Sequence, residues 1–149
     1  MLRSISILLF LSLPAPALTQ TRQFINPGPK PPGYSQAVAV SGGRTVYFSG
    51  QIALDASGAV VGVGDFKAQA RQVFENLKAL LTASQATFAD VVKVTYYVVG
   101  LDAERLRIVR EIRDEYLPAD NRPASTLVGV QALVRPDLLL EAEAVVVTP

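Results

Sequence analysis

Two acidic residues stand in an otherwise apolar stretch near the end of the chain. Glu141 and Glu143 lie within Leu138–Val147, where all the remaining residues are leucine, alanine or valine. This apolar run predicts a long strand. Because side chains alternate between the faces of a strand, both carboxylates point to the same side. An unpaired charge is costly to bury. The two acids therefore belong to a solvated face or an ion pair, or one of them faces a small-molecule cleft as an acid, a base or a hydrogen-bond acceptor.

The residue types that are missing narrow the chemistry further. The sequence contains no histidine and no cysteine. Histidine-based triads, thiol nucleophiles, disulfides and the usual zinc sites are therefore excluded. Any catalytic chemistry of this chain must therefore come from carboxylates, Arg, Lys, Tyr, Ser, Thr, backbone groups and water.

The first residues have the pattern of a secretory signal peptide. Arg3 precedes the apolar run Ile5–Leu13, and Ala15-Pro16-Ala17 supplies the small residues of a cleavage site. The apolar run is too short to span a membrane. We expect residues 1–17 to be a signal peptide, residues 18–149 to form a single domain, and the mature protein to be secreted or periplasmic without a membrane anchor.

The charge balance argues against a nucleic-acid partner. The chain has 14 Lys and Arg against 13 Asp and Glu, so removal of Arg3 with the signal peptide leaves the two signs equal. The sequence also lacks a run of basic residues, which is the usual footprint of nucleic-acid binding.

Hydrophobic spacing and capping residues predict the secondary structure. Thr19–Lys30, with several prolines at its end, is expected to be an irregular lead-in. Asp65 and Asp102 are suited to cap two helices, the first reaching about Ala83. The other predicted elements are a hairpin of Ala37–Val40 and Thr45–Gln51, a central strand Val91–Val99, the second helix Ala103–Tyr116, and two final strands, Leu127–Val130 and Leu138–Val147.

The order of these elements, β-β-α-β-α-β-β, predicts an α+β fold. Two helices on one face of a mixed sheet form a two-layer sandwich. The other face of the sheet is expected to be exposed and apolar, and a monomer rarely leaves such a face uncovered. An oligomer is the expected arrangement.

Several separated motifs, in order, resemble the RidA (YjgF-type) reactive-intermediate deaminases, a family formerly described as L-PSP endoribonucleases. The resemblance covers about Asn26 to Val147. The matching segments are Gly33-Tyr34-Ser35-Gln36-Ala37-Val38, Tyr47-Phe48-Ser49-Gly50-Gln51-Ile52, Gln72-Val73-Phe74-Glu75-Asn76-Leu77-Lys78-Ala79, Asp90-Val91-Val92-Lys93-Val94-Thr95, Arg122-Pro123-Ala124-Ser125-Thr126 and Glu141-Ala142-Glu143-Ala144.

The resemblance implies a chorismate-mutase-like fold assembled as a homotrimer, with ligand clefts between subunits. It also implies hydrolysis of 2-imino acids, such as 2-iminobutanoate and 2-iminopropanoate, to 2-oxo acids and ammonia without a metal or cofactor. Carried over by position, Tyr34, Ser49 and Gly50 line the cleft. Glu141 matches the glutamate that orients the attacking water.

Two positions depart from the family pattern. Active members have an arginine directly after Pro-Ala, which grips the substrate carboxylate, and this chain has Ser125. Serine supplies one hydrogen bond and no charge. Ser125 and Thr126 are retained as substrate-binding candidates. Arg110, which stands where the family has a cleft asparagine, is the candidate replacement for the missing charge, ahead of Arg122 and Arg113.

Three classes of function remain open at this stage. The first is imine or enamine hydrolysis with a changed carboxylate anchor. The second is a trimer that binds a small organic acid, an imine or an aromatic compound between its chains without turnover. The third, RNA cleavage, fits the old family label but conflicts with the neutral charge and the missing histidine.

Overall fold

Two helices pack on one face of a mixed sheet in the computed structural model, which describes residues 20–149. The α+β sandwich expected from the sequence is confirmed. The predicted signal peptide, residues 1–17, lies outside the described residues. The elements are β1 (Thr21–Ile25), β2 (Ala37–Ser41), β3 (Arg44–Ile52), α1 (Phe66–Ala83), a 3₁₀ turn (Phe88–Asp90), β4 (Val91–Val99), α2 (Ala103–Tyr116), β5 (Ala124–Val130) and β6 (Leu140–Thr148).

The main sheet has the strand order β3-β6-β4-β5, and only β4 and β5 run parallel. Strands β1 and β2 form a separate antiparallel ribbon. Two expectations are therefore wrong, since Thr21–Ile25 is a strand rather than an irregular lead-in, and β2 pairs with β1 rather than with β3. The prolines that suggested irregular structure lie in the connection after β1. They leave the strand itself free to pair.

Helix α1 begins where its capping residue predicts. The Asp65 carboxylate accepts a hydrogen bond from the backbone N–H of Ala68 at 3.0 Å, which satisfies one of the free donors of the first turn. The apolar residues on the buried side of α1 are Phe66, Ala70, Val73, Phe74, Leu77 and Leu81. The buried side also includes Gln69, a polar residue that is fully buried.

The buried Gln69 amide holds the entry into β6. Its Nε2 donates to the carbonyl of Asp137 at 2.7 Å, and its Oε1 accepts from the N–H of Leu139 at 2.8 Å. A buried amide is stable only when its polar atoms are satisfied, and these backbone groups satisfy it. Because Leu139 is two residues before Glu141, this contact helps to set the register in which that glutamate is presented.

Helix α2 spans the predicted residues Ala103–Tyr116 and is capped by Asp102, which accepts from the N–H of Arg105 at 2.8 Å. Its buried residues are Ile108, Val109 and Ile112. Arg107 is paired with Glu104 and Glu111 along the exposed side. Among residues 20–149, no helix is long and apolar enough to cross a membrane.

The central strands β4 and β6 alternate between two faces, which was predicted for β6. The side chains of Val94, Tyr96, Leu140 and Ala142 are buried beneath the helices. The opposite face, here called the open face, bears polar groups from the same strands in addition to valines. The expectation that this face is apolar throughout is therefore wrong. Its polar groups are part of the candidate site.

Candidate functional site

A bulge in strand β3 creates the first part of the site. The pairing of β3 with β6 shifts between Phe48 and Gln51, so Ser49 and Gly50 together lie opposite one residue of β6. Bulges of this kind re-aim a strand and occur often beside active sites. Ser49 and Gly50 are the two residues of this strand that the sequence places in the cleft.

Glu141 lies directly against Gly50. A Cβ atom added to Gly50 would stand 2.6 Å from the carboxyl carbon of Glu141 and would overlap its Oε1 oxygen. Only a residue without a side chain leaves space for the carboxylate at this position. The bulge glycine and Glu141 therefore form one unit on the open face.

We expect the Gly50→Ala substitution to displace Glu141 and to reduce any catalysis that depends on it. A misplacement of about 1 Å is enough to cost on the order of 100-fold in rate. Gly28→Ala is the matched control, because a Cβ at Gly28 meets no atom within 4 Å. The measurement is turnover of a 2-imino acid, with circular dichroism to verify folding. Equal activity in the two variants would contradict this role of Gly50.

The two glutamates of β6 share the open face but differ in their partners. Glu143 accepts a hydrogen bond from the Tyr97 hydroxyl at 3.0 Å, and this bond raises the pKa of Tyr97. Within residues 20–149, the Glu141 carboxylate has neither a hydrogen bond nor an ion pair with another side chain. Glu141 is also only half-buried. Its oxygens are therefore available to water or a ligand, whereas Glu143 is already engaged.

Residue pattern alone did not reveal a second polar group on the open face. The Lys93 ammonium donates to the hydroxyls of Thr126 at 2.8 Å and Thr95 at 3.3 Å. Burial lowers the pKa of Lys93, and the nearby charge of Glu143 partly offsets that effect. Thr126 therefore lies on the open face beside Lys93. The cross-strand register of β4 and β5 brings them together, which a single sequence does not reveal.

Tyr34, Ser125 and Arg110 line a different cleft, of about 130 Å³, on the helix-facing side of the sheet. Ser35 anchors Tyr34 there, since the Ser35 N–H donates to the carbonyl of Pro123 at 3.0 Å and its hydroxyl donates to the carbonyl of Arg122 at 2.7 Å. The other residues of this cleft are Pro32, Tyr96, Leu106, Val109, Arg113 and Leu127.

The candidate residues therefore form two groups within one chain. Ser125 pairs with the buried Val94 and faces α2, whereas Glu141 pairs with Tyr97 and faces away from the helices. The sheet separates the two groups, so a small molecule cannot contact both in one chain. In the described part of the chain, no cluster of three or more His, Cys, Asp or Glu side chains could hold a metal ion.

Comparison with known proteins identifies the family. The family model described as Endoribonuclease L-PSP matches residues 28–148. A RutC family protein of Pyrococcus abyssi is 38% identical over 123 residues, covering 82% of this chain and 92% of that protein. The chain belongs to the RidA (YjgF-type) family. A RidA-family relative from Dermatophagoides farinae, named 2-iminobutanoate/2-iminopropanoate deaminase, is 36% identical over 120 residues, which are 80% of this chain and 89% of the relative.

The RidA fold is also seen in a crystal structure of a conserved Rid family protein from Yersinia pestis. That structure matches with a TM-score of 0.76 at 37% identity, and the match covers 85% of this chain and 98% of the other. The RidA assignment thus rests on sequence and on structure. It agrees with the family resemblance carried by the motifs.

Proposed function

We propose that this RidA-family protein hydrolyses 2-imino acids to 2-oxo acids and ammonia in clefts between the subunits of a homotrimer. The observation that carries the proposal is the free carboxylate of Glu141 at the Gly50 bulge, where it can bind a water molecule. Relatives named 2-iminobutanoate/2-iminopropanoate deaminase support this choice of reaction class. The location of the two residue groups on opposite faces of the sheet supports a cleft completed by a second subunit.

The reaction needs no group beyond those of the chain and water. Glu141 orients a water molecule and accepts one of its protons as the water oxygen bonds to the imine carbon. Glu141 then returns this proton to the nitrogen, which was already protonated in the imine, so the nitrogen becomes an ammonium leaving group. As the carbon–nitrogen bond breaks and ammonia leaves, the proton remaining on the added oxygen passes to Glu141 and from there to solvent. The carbon retains the water oxygen as the carbonyl of a 2-oxo acid. Protonation of the imine nitrogen before attack makes its carbon a better electrophile.

Arg110 is the proposed anchor for the substrate carboxylate. It shares a cleft with Ser125, the position at which active relatives have arginine, and it has no ion-pair partner among residues 20–149. A guanidinium binds a carboxylate through two parallel hydrogen bonds, which fix orientation as well as adding binding energy. Ser125 and Tyr34 add neutral hydroxyl groups beside it.

A non-catalytic binding trimer is the second candidate, and Ser125 is the observation that favours it. If Arg110 does not reach the carboxylate, the cleft loses the charge that aligns the imine. Such a trimer would still capture a small organic acid or imine.

The test is release of ammonia from freshly generated 2-iminobutanoate, comparing the wild type with the Ser125→Arg variant. Turnover by the wild type well above the uncatalysed rate is the expected result. A wild type that is inert beside an active Ser125→Arg variant would identify a binding protein that has lost its anchor. Inactivity of both proteins would overturn the proposed reaction.

We also expect a homotrimer in solution, because each proposed cleft needs residues from two chains. Light scattering coupled to gel filtration at micromolar concentration should give three times the mass of the mature chain. A monomer mass would remove the shared cleft and the proposed mechanism with it.

A further inference from the structure

Beside the Ser125 cleft lies a second, connected cleft that is rich in arginine. The two clefts share Pro32, Arg110 and Arg113, and we call the continuous surface the arginine groove. The second cleft is further lined by Gly33, Asp114, Ala119 and Arg122. Asp114 is the only acidic side chain among the residues that line either cleft.

One carboxylate in the groove serves two guanidinium groups. The same Asp114 oxygen, Oδ1, lies 2.8 Å from Nη2 of Arg113 and 3.0 Å from Nη1 of Arg122. Asp114 therefore neutralises one of these two charges, and Arg110 adds another that has no partner in the described part of the chain. The groove therefore carries two uncompensated positive charges, the first at Arg110 and the second shared by Arg113 and Arg122.

The second of these charges is largely removed from water. The side chain of Arg122 is 8% exposed and that of Arg113 is 12% exposed. Within residues 20–149, the buried Nε of Arg122 and the buried hydroxyl of Tyr96 have no hydrogen-bond partner, and Nη1 of Arg122 is within ion-pair distance of Asp114 without forming a hydrogen bond. Cations that are poorly solvated and only half neutralised attract an anion strongly, because water no longer screens the interaction.

The backbone also makes space for this arrangement. Gly33 has a φ of +87°, and a Cβ added there would lie 2.8 Å from Cζ of Arg113. The Arg113 guanidinium therefore packs against a bare stretch of backbone. A larger residue at position 33 would push it out of the groove.

We infer that the preferred substrates are imines of dicarboxylic 2-oxo acids, an inference that rests on the proposed function. The 2-carboxylate binds Arg110 near Ser125 and Tyr34. The second carboxylate binds where Arg113 and Arg122 share Asp114. Two anionic groups match the two uncompensated charges, whereas a monocarboxylic substrate leaves one of them unpaired.

Stable 2-oxo acids, the products of the reaction, allow the charge preference to be measured without turnover. Calorimetry should give tighter binding of 2-oxoglutarate than of 2-oxobutanoate by about tenfold or more, a ratio that corresponds to about 1.4 kcal/mol. The Arg113→Met variant should lose most of this ratio. Arg107→Met, on the same helix but paired with Glu104 and Glu111 outside the groove, should keep it.

A second experiment separates the proposed imine hydrolysis from the preference for dicarboxylic substrates. It measures ammonia release from 2-iminobutanoate and from the imine of 2-oxoglutarate, each formed in place by an amino-acid oxidase. Higher kcat/KM for the dicarboxylic imine supports the inference. Equal or lower kcat/KM, with clear turnover of 2-iminobutanoate, would overturn the dicarboxylate preference and leave the proposed function intact. If neither imine is turned over and neither 2-oxo acid binds, the proposed function and the dicarboxylate preference are both overturned.

Discussion

Replacement of Glu141 by glutamine should abolish the proposed imine hydrolysis while leaving the protein folded and assembled. Glutamine has nearly the same shape, so it can occupy the space beside Gly50, but its amide cannot take a proton from water. General-base catalysis by a positioned side chain contributes about 10²–10⁴-fold in rate, and we expect a loss of that order in kcat. Steady-state ammonia release is the measurement, with light scattering to verify the oligomer.

Glu143→Gln is the matched control for this experiment. Glu143 lies on the same strand and face but already accepts the hydrogen bond of Tyr97, which glutamine can also accept. We expect it to retain most of the activity. Full activity in the Glu141→Gln variant would mean that another group orients the water.

Removal of the Arg110 guanidinium should have the second largest effect. Charge-assisted hydrogen bonds contribute about 1.5–3 kcal/mol each, and Arg110→Ala should therefore lower kcat/KM by about one to two powers of ten at roughly 1.4 kcal/mol per tenfold. Arg110→Lys should recover part of the loss, because lysine restores the charge but lacks the planar fork.

Arg107→Ala is the control for a general effect of positive charge on α2. Arg107 is on the exposed side of the same helix, where its charge is balanced by two glutamates. Exposed pairs of this kind contribute little to stability, and we expect the kinetics to be unchanged. Equal losses in the Arg107 and Arg110 variants would point to long-range electrostatics rather than to a specific contact.

Local features of the sequence were enough for the helices and for the faces of the central strands. Asp65 and Asp102 cap the helices at the predicted residues because capping involves only a few adjacent backbone groups. The alternation along β6 put Glu141 and Glu143 on one face because side-chain direction in a strand has a period of two. The family motifs then singled out Glu141 of these two acids.

Features that depend on distant partners were missed or misjudged. Thr21–Ile25 forms a strand because β2 offers it a paired edge. Gln69 is buried because the backbone around Leu139 satisfies its amide. Asp114, on α2, binds Arg122, which lies between α2 and β5. No spacing rule predicts such contacts, since each requires two segments to meet in the folded state.

By itself, the sequence determined the family, the α+β class and the residue types available for chemistry. Tertiary structure decided their grouping: it separated Ser125 from Glu141 by the thickness of the sheet and joined Ser125 to Arg110 in one cleft. The physical reason is the register in which the strands of the sheet pair. Pairing between β4, β5 and β6 determines which face and which neighbours each residue acquires, and that pairing is settled by packing of the whole domain rather than by local sequence.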